Sequence, residues 1–92
     1  MESARCKAFM YAADTGSFTK AAERLNYTPS GVSQLVGALE NETGLTLLRR
    51  TRKGVTLTPD GEILLPAVRE FLEKENRIYE LAAEVKGLLV GS

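Results

Sequence analysis

A connection of only three residues, Asn26-Tyr27-Thr28, separates two segments with helical signals, and it constrains the fold more than any other feature of this sequence. Ahead of it, Ser17 is a good N-cap for a helix over about 18–26. After it, Thr28 is a second N-cap, and Pro29 takes the first helical position, where its missing N–H costs nothing. Two helices joined by so short a turn must cross at a steep angle. The sequence therefore predicts a helix-turn-helix.

The flanking segments complete this unit. Apolar residues at a helical spacing predict a first helix over 2–14, which ends before Gly16. The helix that begins at Pro29 runs to about Thr43, because Gly44 suits the left-handed position just beyond a helix end.

The pattern then changes to that of a hairpin and a long helix. Over about 47–57, Val and Thr favour strands, and Gly54 supplies the turn. Thr58-Pro59 repeats the cap-plus-proline signal and opens a last helix over 59–88, which Pro66 should bend.

Charge is unevenly distributed along the chain, although its 92 residues carry a net charge of zero. Residues 1–57 have eight Lys and Arg against five Asp and Glu, whereas residues 58–92 have four against seven. Four of the basic side chains fall within the five positions from Arg49 to Lys53. Such a cluster is either a solvated loop or a surface that binds phosphate.

The chain lacks the residues that most catalytic and metal sites require. It has no histidine, and its one cysteine, Cys6, is expected to be a small buried residue of the first helix. The carboxylates form no acid–base set, so neither an enzyme nor a cofactor is expected. No apolar run of eighteen residues and no signal-peptide pattern occur, so we expect a cytoplasmic protein with no membrane partner.

The outer face of the helix over 29–43 suits the major groove of DNA. Opposite its apolar side lie residues that are small or form hydrogen bonds: Ser30, Ser33, Gln34, Gly37 and Asn41. Such a face lets the backbone approach base edges, where Gln34 can pair with adenine N6 and N7. Ser33 can reach a base or a phosphate, and the helix N-terminus near Thr28 and Ser30 suits a phosphate oxygen. Taken alone, this is also the face of an ordinary solvent-exposed helix.

The basic hairpin tip favours the DNA interpretation, because a hairpin beside such a helix is the wing of a winged helix. Arg52 or Lys53 can enter the narrow minor groove, and Arg50 can hold a phosphate. We therefore predict a mostly α fold: a winged helix-turn-helix of three helices and a short β-hairpin over residues 1–58, followed by a long linker helix within 59–92.

The last helix carries an apolar stripe at alternating spacings of four and three residues. Its positions are Leu64, Val68, Phe71, Glu75, Ile78, Ala82, Val85 and Leu89, of which only Glu75 is polar. This is the heptad pattern of a helix that pairs with another helix, and Leu72 widens the stripe on one flank. Much of so long a face would stay exposed in a monomer.

A second copy of the chain is the simplest partner for this stripe. A two-fold dimer would present two recognition helices to two half-sites, so the preferred double-stranded DNA should be roughly palindromic. The alternative is that the helix packs within a longer protein or against another subunit.

The segment from Gly16 to Leu25, GSFTKAAERL, resembles the "gSf..AA..L" motif of LysR-type transcriptional regulators. The family's next motifs follow at the right distances: Ser33, Leu39-Glu40, Gly44, the run Leu47 to Arg50, and the segment Leu57 to Gly61. The resemblance covers about residues 5–88 and implies a dimeric bacterial winged helix-turn-helix whose linker helices pair antiparallel. In that family an effector-binding domain follows. We expect that domain to be absent from this chain, so a small-molecule effector is expected only through it.

The resemblance also implies roles for individual residues. Ser17, Thr19 and Lys20 would contact the DNA backbone; Thr28, Pro29, Ser30, Ser33 and Gln34 would face the major groove; Arg50, Arg52 and Lys53 would form the wing. Pro29 and Gln34 stand where the family often has Gln and Arg, which weakens any transfer of base preference.

Two other functional classes remain open at the level of the sequence. A winged helix can serve protein contact with the long helix as a scaffold, and the neutral total charge is compatible with that. Other winged-helix families, such as the molybdate-responsive and MarR types, share the DNA-binding mechanism but arrange the dimer differently.

Overall fold

The computed structural model describes the backbone of residues 1–90 and the side chains of residues 1–87. Its elements are the helices α1 (Ser3–Thr15), α2 (Phe18–Leu25), α3 (Pro29–Thr43) and α4 (Pro59–Val90) and the strands β1 (Leu48–Thr51) and β2 (Gly54–Leu57). The predicted order of three helices, a hairpin and a long helix is confirmed. The side chain of Leu89, from the predicted dimer stripe, lies outside the described residues.

Side-chain caps begin three of the four helices, as the sequence predicts. The Ser17 hydroxyl accepts a hydrogen bond from the backbone N–H of Lys20 at 3.2 Å, and the Thr28 hydroxyl accepts one from Gly31 at 3.0 Å. Thr58 does the same for Gly61 at 3.0 Å and also donates to the carbonyl of Thr46 at 2.6 Å. Each cap satisfies a backbone donor that has no partner within its helix.

The hydrophobic core lies between the three short helices, the hairpin and the first turns of α4. Its buried members are Cys6, Ala8, Phe9, Ala12, Ala21, Ala22, Val32, Val36, Leu39, Leu47, Leu48, Val55, Leu65 and Val68. Cys6 is fully buried, as predicted, and burial raises the pKa of its thiol. Alanines supply most of the buried side chains of α1 and α2, which lets these helices pack closely.

The first half of α4 belongs to the core, whereas its second half projects away from it. Leu65 and Val68 are buried, and Arg69 donates to the Asp14 carboxylate of α1 at 3.0 Å, which holds the pKa of that carboxyl below its ordinary value. The sequence predicts Val68 in a dimer stripe, but the protomer's own core already covers it. α4 continues on both sides of Pro66. No helix in the described part of the chain has the length and apolar character to cross a membrane.

The Glu40 carboxylate connects α3 to the hairpin. It accepts hydrogen bonds from the backbone N–H groups of Leu47 at 2.7 Å and Leu48 at 3.3 Å, where the chain enters β1. Because Leu47 is fully buried, water cannot replace this acceptor easily. Glu40 therefore sets where the hairpin starts relative to α3.

Replacing this carboxylate should destabilise the whole domain. We expect Glu40→Ala to lower the free energy of unfolding by about 2 kcal/mol, since it leaves the buried Leu47 N–H without an acceptor. Urea unfolding of parent and variant at one protein concentration measures the difference. The control is Glu23→Ala, an exposed helical glutamate, for which a change below about 0.5 kcal/mol is expected. Equal losses in the two variants would contradict the role of Glu40.

Candidate nucleic-acid interface

The outer face of α3 is open and carries little bulk. Ser30, Gln34 and Asn41 are exposed, and Ser33 and Gly37 are half-buried. A Cβ placed on Gly37 would meet no atom within 4 Å. This face is uncharged, as the sequence indicates, and a second surface can approach its backbone closely.

The start of α3 adds a second exposed group of polar atoms. Thr28, Pro29 and Ser30 are all exposed, and the hydroxyls of Thr28 and Ser30 lie 3.3 Å apart. The Thr28 cap orients the first turn, whose backbone dipoles favour an anion. Tyr27, for which the sequence pattern indicates no role, is also exposed at this end.

The wing is attached to the turn between α1 and α2. β1 and β2 pair antiparallel, from Leu48 opposite Leu57 to Thr51 opposite Gly54. The N–H of Val55 donates to the carbonyl of Gly16 at 2.9 Å. Gly54 has φ 130°, and a Cβ at this position would overlap the Gly16 carbonyl oxygen, so only glycine permits this approach. The tip residues Arg52 and Lys53 are exposed beyond this anchor.

The wing and the start of α2 form one surface. Ser17, Thr19, Arg50 and Arg52 line an open depression between α2 and the hairpin. Ser17 is half-buried because it caps α2, whereas Thr19 and Lys20 are exposed. The structure thus brings Ser17 and Thr19, to which the family resemblance assigns contacts with the DNA backbone, together with Arg50 and Arg52 of the wing.

Arg50 connects this surface to α3. Its Nη2 donates to the Ser33 hydroxyl at 2.6 Å, and its guanidinium carbon lies 4.8 Å from the centre of the Phe18 ring. For Arg50 the sequence predicts a phosphate contact and a place in the wing, and it indicates neither the contact with Ser33 nor the one with Phe18. These residues are far apart along the chain, and no local pattern of the sequence reports such contacts.

Ser33 and Gln34 occupy opposite flanks of the α3 face. Ser33 lies on the wing side, where Arg50 contacts it. Gln34 lines a different depression, between α3 and the N-terminus of α1, together with Tyr27 and Arg5. The two residues therefore face different parts of any groove that α3 enters.

The ion pairs of the described residues involve no side chain of α2 or of the hairpin. Arg5 pairs with Glu42 at 2.7 Å, Arg69 pairs with Asp14, and Arg77 lies 3.6 Å from Glu84. Within the described side chains, the bases of α2 and the hairpin have no carboxylate within 4.0 Å: Lys20, Arg24, Arg49, Arg50, Arg52 and Lys53. Their charge is thus available to an external anion.

No group of three or more His, Cys, Asp or Glu side chains in residues 1–87 is arranged to hold a metal ion. The chemistry that the surface offers is hydrogen bonding from α3 and positive charge from the wing and α2.

Comparison with known proteins identifies relatives of this architecture. Residues 4–62 match the model of the family described as bacterial regulatory helix-turn-helix protein, lysR family. The chain is 40% identical over 87 residues to the uncharacterized HTH-type transcriptional regulator YvbU of Bacillus subtilis, an alignment covering 94% of this chain and 30% of that protein. It is 44% identical over 66 residues to the HTH-type transcriptional activator AllS of Klebsiella pneumoniae, covering 72% and 24%. The chain thus spans less than a third of these curated relatives.

Solved structures share the fold over most of the chain. The CbnR DNA-binding domain in complex with DNA superimposes with a TM-score of 0.86 at 30% identity, covering 94% of this chain and 99% of that one. The BenM DNA-binding domain in complex with the catB site 1 DNA also gives a TM-score of 0.86, at 27% identity, with 94% and 97% covered.

Proposed function

This chain belongs to the lysR family of bacterial regulatory helix-turn-helix proteins, and we propose that it binds double-stranded DNA sequence-specifically as a homodimer to regulate transcription. The outer face of α3 enters the major groove, and Arg52 and Lys53 of the wing lie at the minor groove and the phosphates. The relatives crystallised with DNA support this proposal, since they share the fold of the whole interface.

The distribution of charge carries the proposal. An uncharged α3 face, with Ser30, Gln34 and Gly37 open to approach, is bordered by bases that have no carboxylate partner among the described residues. The phosphates on either side of a groove attract the basic side chains, whereas the edges of the nucleobases are recognised by the short polar side chains between them. A protein partner would not require this separation. Thr19 and Lys20, at the start of α2, are proposed to contact the DNA backbone, as are Arg50 and the Ser17 cap.

The second half of α4 supports dimerisation. Ile78 is 65% exposed and Val85 is 53% exposed, and Phe71 and Ala82 continue the same stripe. Leu64 and Leu72 pack partly on the core and border it. We leave Val68 out of the interface because its own protomer buries it. An identical helix would cover these apolar side chains and present two copies of α3 to a roughly palindromic site. A small-molecule effector acting through a further domain stays a prediction from the family resemblance.

Sedimentation of the 92-residue chain, alone and with a short random-sequence duplex, tests both parts of the proposal. We expect a dimer that binds the duplex at low salt and releases it as the salt concentration rises. Binding displaces the cations condensed on the DNA, and this release becomes less favourable at a higher salt concentration. A monomer would contradict the role of α4. A dimer that ignores the duplex at low salt would contradict DNA binding and favour the protein-contact function.

Removing the charge of the wing tip should weaken binding to every sequence alike. For Arg52→Ala with Lys53→Ala we expect the affinity at low salt to fall by at least about tenfold. The dependence of log K on log salt should become shallower by roughly one for each phosphate that the variant no longer neutralises. Titration of a fluorescent duplex at several salt concentrations measures both quantities.

The matched control removes the same charge elsewhere, with Lys7→Ala and Lys74→Ala on exposed positions of α1 and α4. It should keep the affinity within about twofold of the parent. If the affinity fell equally in the two double variants, the wing would have no specific role.

A further inference from the structure

One side chain, that of Arg50, joins three elements of the interface. It extends from β1, donates to Ser33 of α3 at 2.6 Å and lies over the Phe18 ring of α2. The guanidinium is planar and its N–H groups point in set directions, so a stacked ring and one hydrogen bond together fix its orientation. No carboxylate of residues 1–87 competes for it within 4.0 Å.

This hydrogen bond determines how the Ser33 hydroxyl is presented. A serine hydroxyl has one O–H donor and two acceptor lone pairs. Arg50 occupies one lone pair, and its positive charge repels the hydrogen end of the O–H dipole, so the hydroxyl hydrogen points away from Arg50. Among the described residues, Ser33 donates to no acceptor. Ser33 is therefore held as a donor at the wing side of the exposed α3 face.

We propose that Arg50 is a positioning residue that makes Ser33 read a hydrogen-bond acceptor on a base edge in the major groove, an inference that rests on the proposed function. The acceptors in that groove are guanine N7 and O6, adenine N7 and thymine O4, whereas cytosine presents only its N4 donor. Ser33 thereby disfavours cytosine at one position of each half-site. Gln34, on the opposite flank of α3, reads a different position.

Binding-site selection from randomised duplexes, followed by titration of duplexes that differ at single base pairs, tests this role. The set is the parent, Ser33→Ala, Arg50→Met and the double variant. We expect Ser33→Ala to reduce the discrimination against cytosine at one base pair by roughly fivefold, the effect of one net hydrogen bond. Arg50→Met, which keeps an unbranched chain over Phe18 but no donor, should reduce discrimination at the same pair. The double variant should reduce it no further, because both changes remove one interaction.

Two further variants separate positioning from charge. Arg49→Met removes an equal charge from the neighbouring exposed position of β1, and it should lower affinity for all duplexes while keeping the base preference. Arg50→Lys keeps a charged donor and should restore part of the preference at the Ser33 base pair. If Arg50→Met behaved as Arg49→Met does, Arg50 would be a phosphate contact alone and the inference would be overturned. It would also be overturned if Ser33→Ala changed only the salt dependence, since Ser33 would then bind a phosphate.

A measurement without DNA separates this inference from the proposed function. Urea unfolding of the same four proteins gives the coupling between Ser33 and Arg50. We expect this coupling to change the unfolding equilibrium constant by roughly twofold to fivefold. Absence of coupling would overturn the positioning of Ser33 whatever the DNA results. Coupling in a parent that binds no duplex would leave the contact intact and contradict the proposed function, and with it the reading of a base.

Discussion

The hydrogen bond from the Val55 N–H to the Gly16 carbonyl is the contact on which the surface formed by α2, α3 and the hairpin depends. It attaches the hairpin to the turn between α1 and α2, and it forms only because Gly54 has no side chain at the point of closest approach. With the hairpin held there, Arg50 reaches both Phe18 and Ser33. The wing and α3 therefore form one preorganised surface and not a loop beside a helix, which would lower the ordering cost of the proposed DNA binding.

Under the proposed function, the distribution of charge separates the residues that provide affinity from those that provide specificity. The basic side chains of the wing and of α2 have no carboxylate within 4.0 Å among the described residues, so they are available to the phosphates of the proposed complex, whereas Arg69 and Arg77 pair with acids of α1 and α4. The exposed face of α3 is neutral, so in the proposed complex it would add little sequence-independent attraction and would leave selection to short hydrogen-bonding groups. A chain of zero net charge can in this way still present a basic surface where it is needed.

Local signals made the fold predictable from the sequence, whereas contacts between distant residues were not predictable. Caps such as Ser17 and Thr28 and the left-handed Gly16 and Gly44 act within one turn of chain, and the structure has each where the pattern indicated. The hydrogen bond from Arg50 to Ser33 depends on how three elements pack together, and the spacing of residues along the chain does not indicate it. The stripe of α4 shows a related limit: its period describes one helix, and only the packed structure shows that Val68 serves the core while Ile78 remains exposed.

Mapping of backbone amide chemical shifts in the labelled chain, with and without a duplex, tests the central claim most directly, because it reports which residues meet DNA. We expect changes at residues 17–20, at 28–34 and at 50–54 together, in one titration and with one dissociation constant, while amides of 76–87 stay unchanged. Changes confined to 76–87, or to the depression between α1 and α3 with none in the wing, would contradict a single surface formed by α3 and the hairpin.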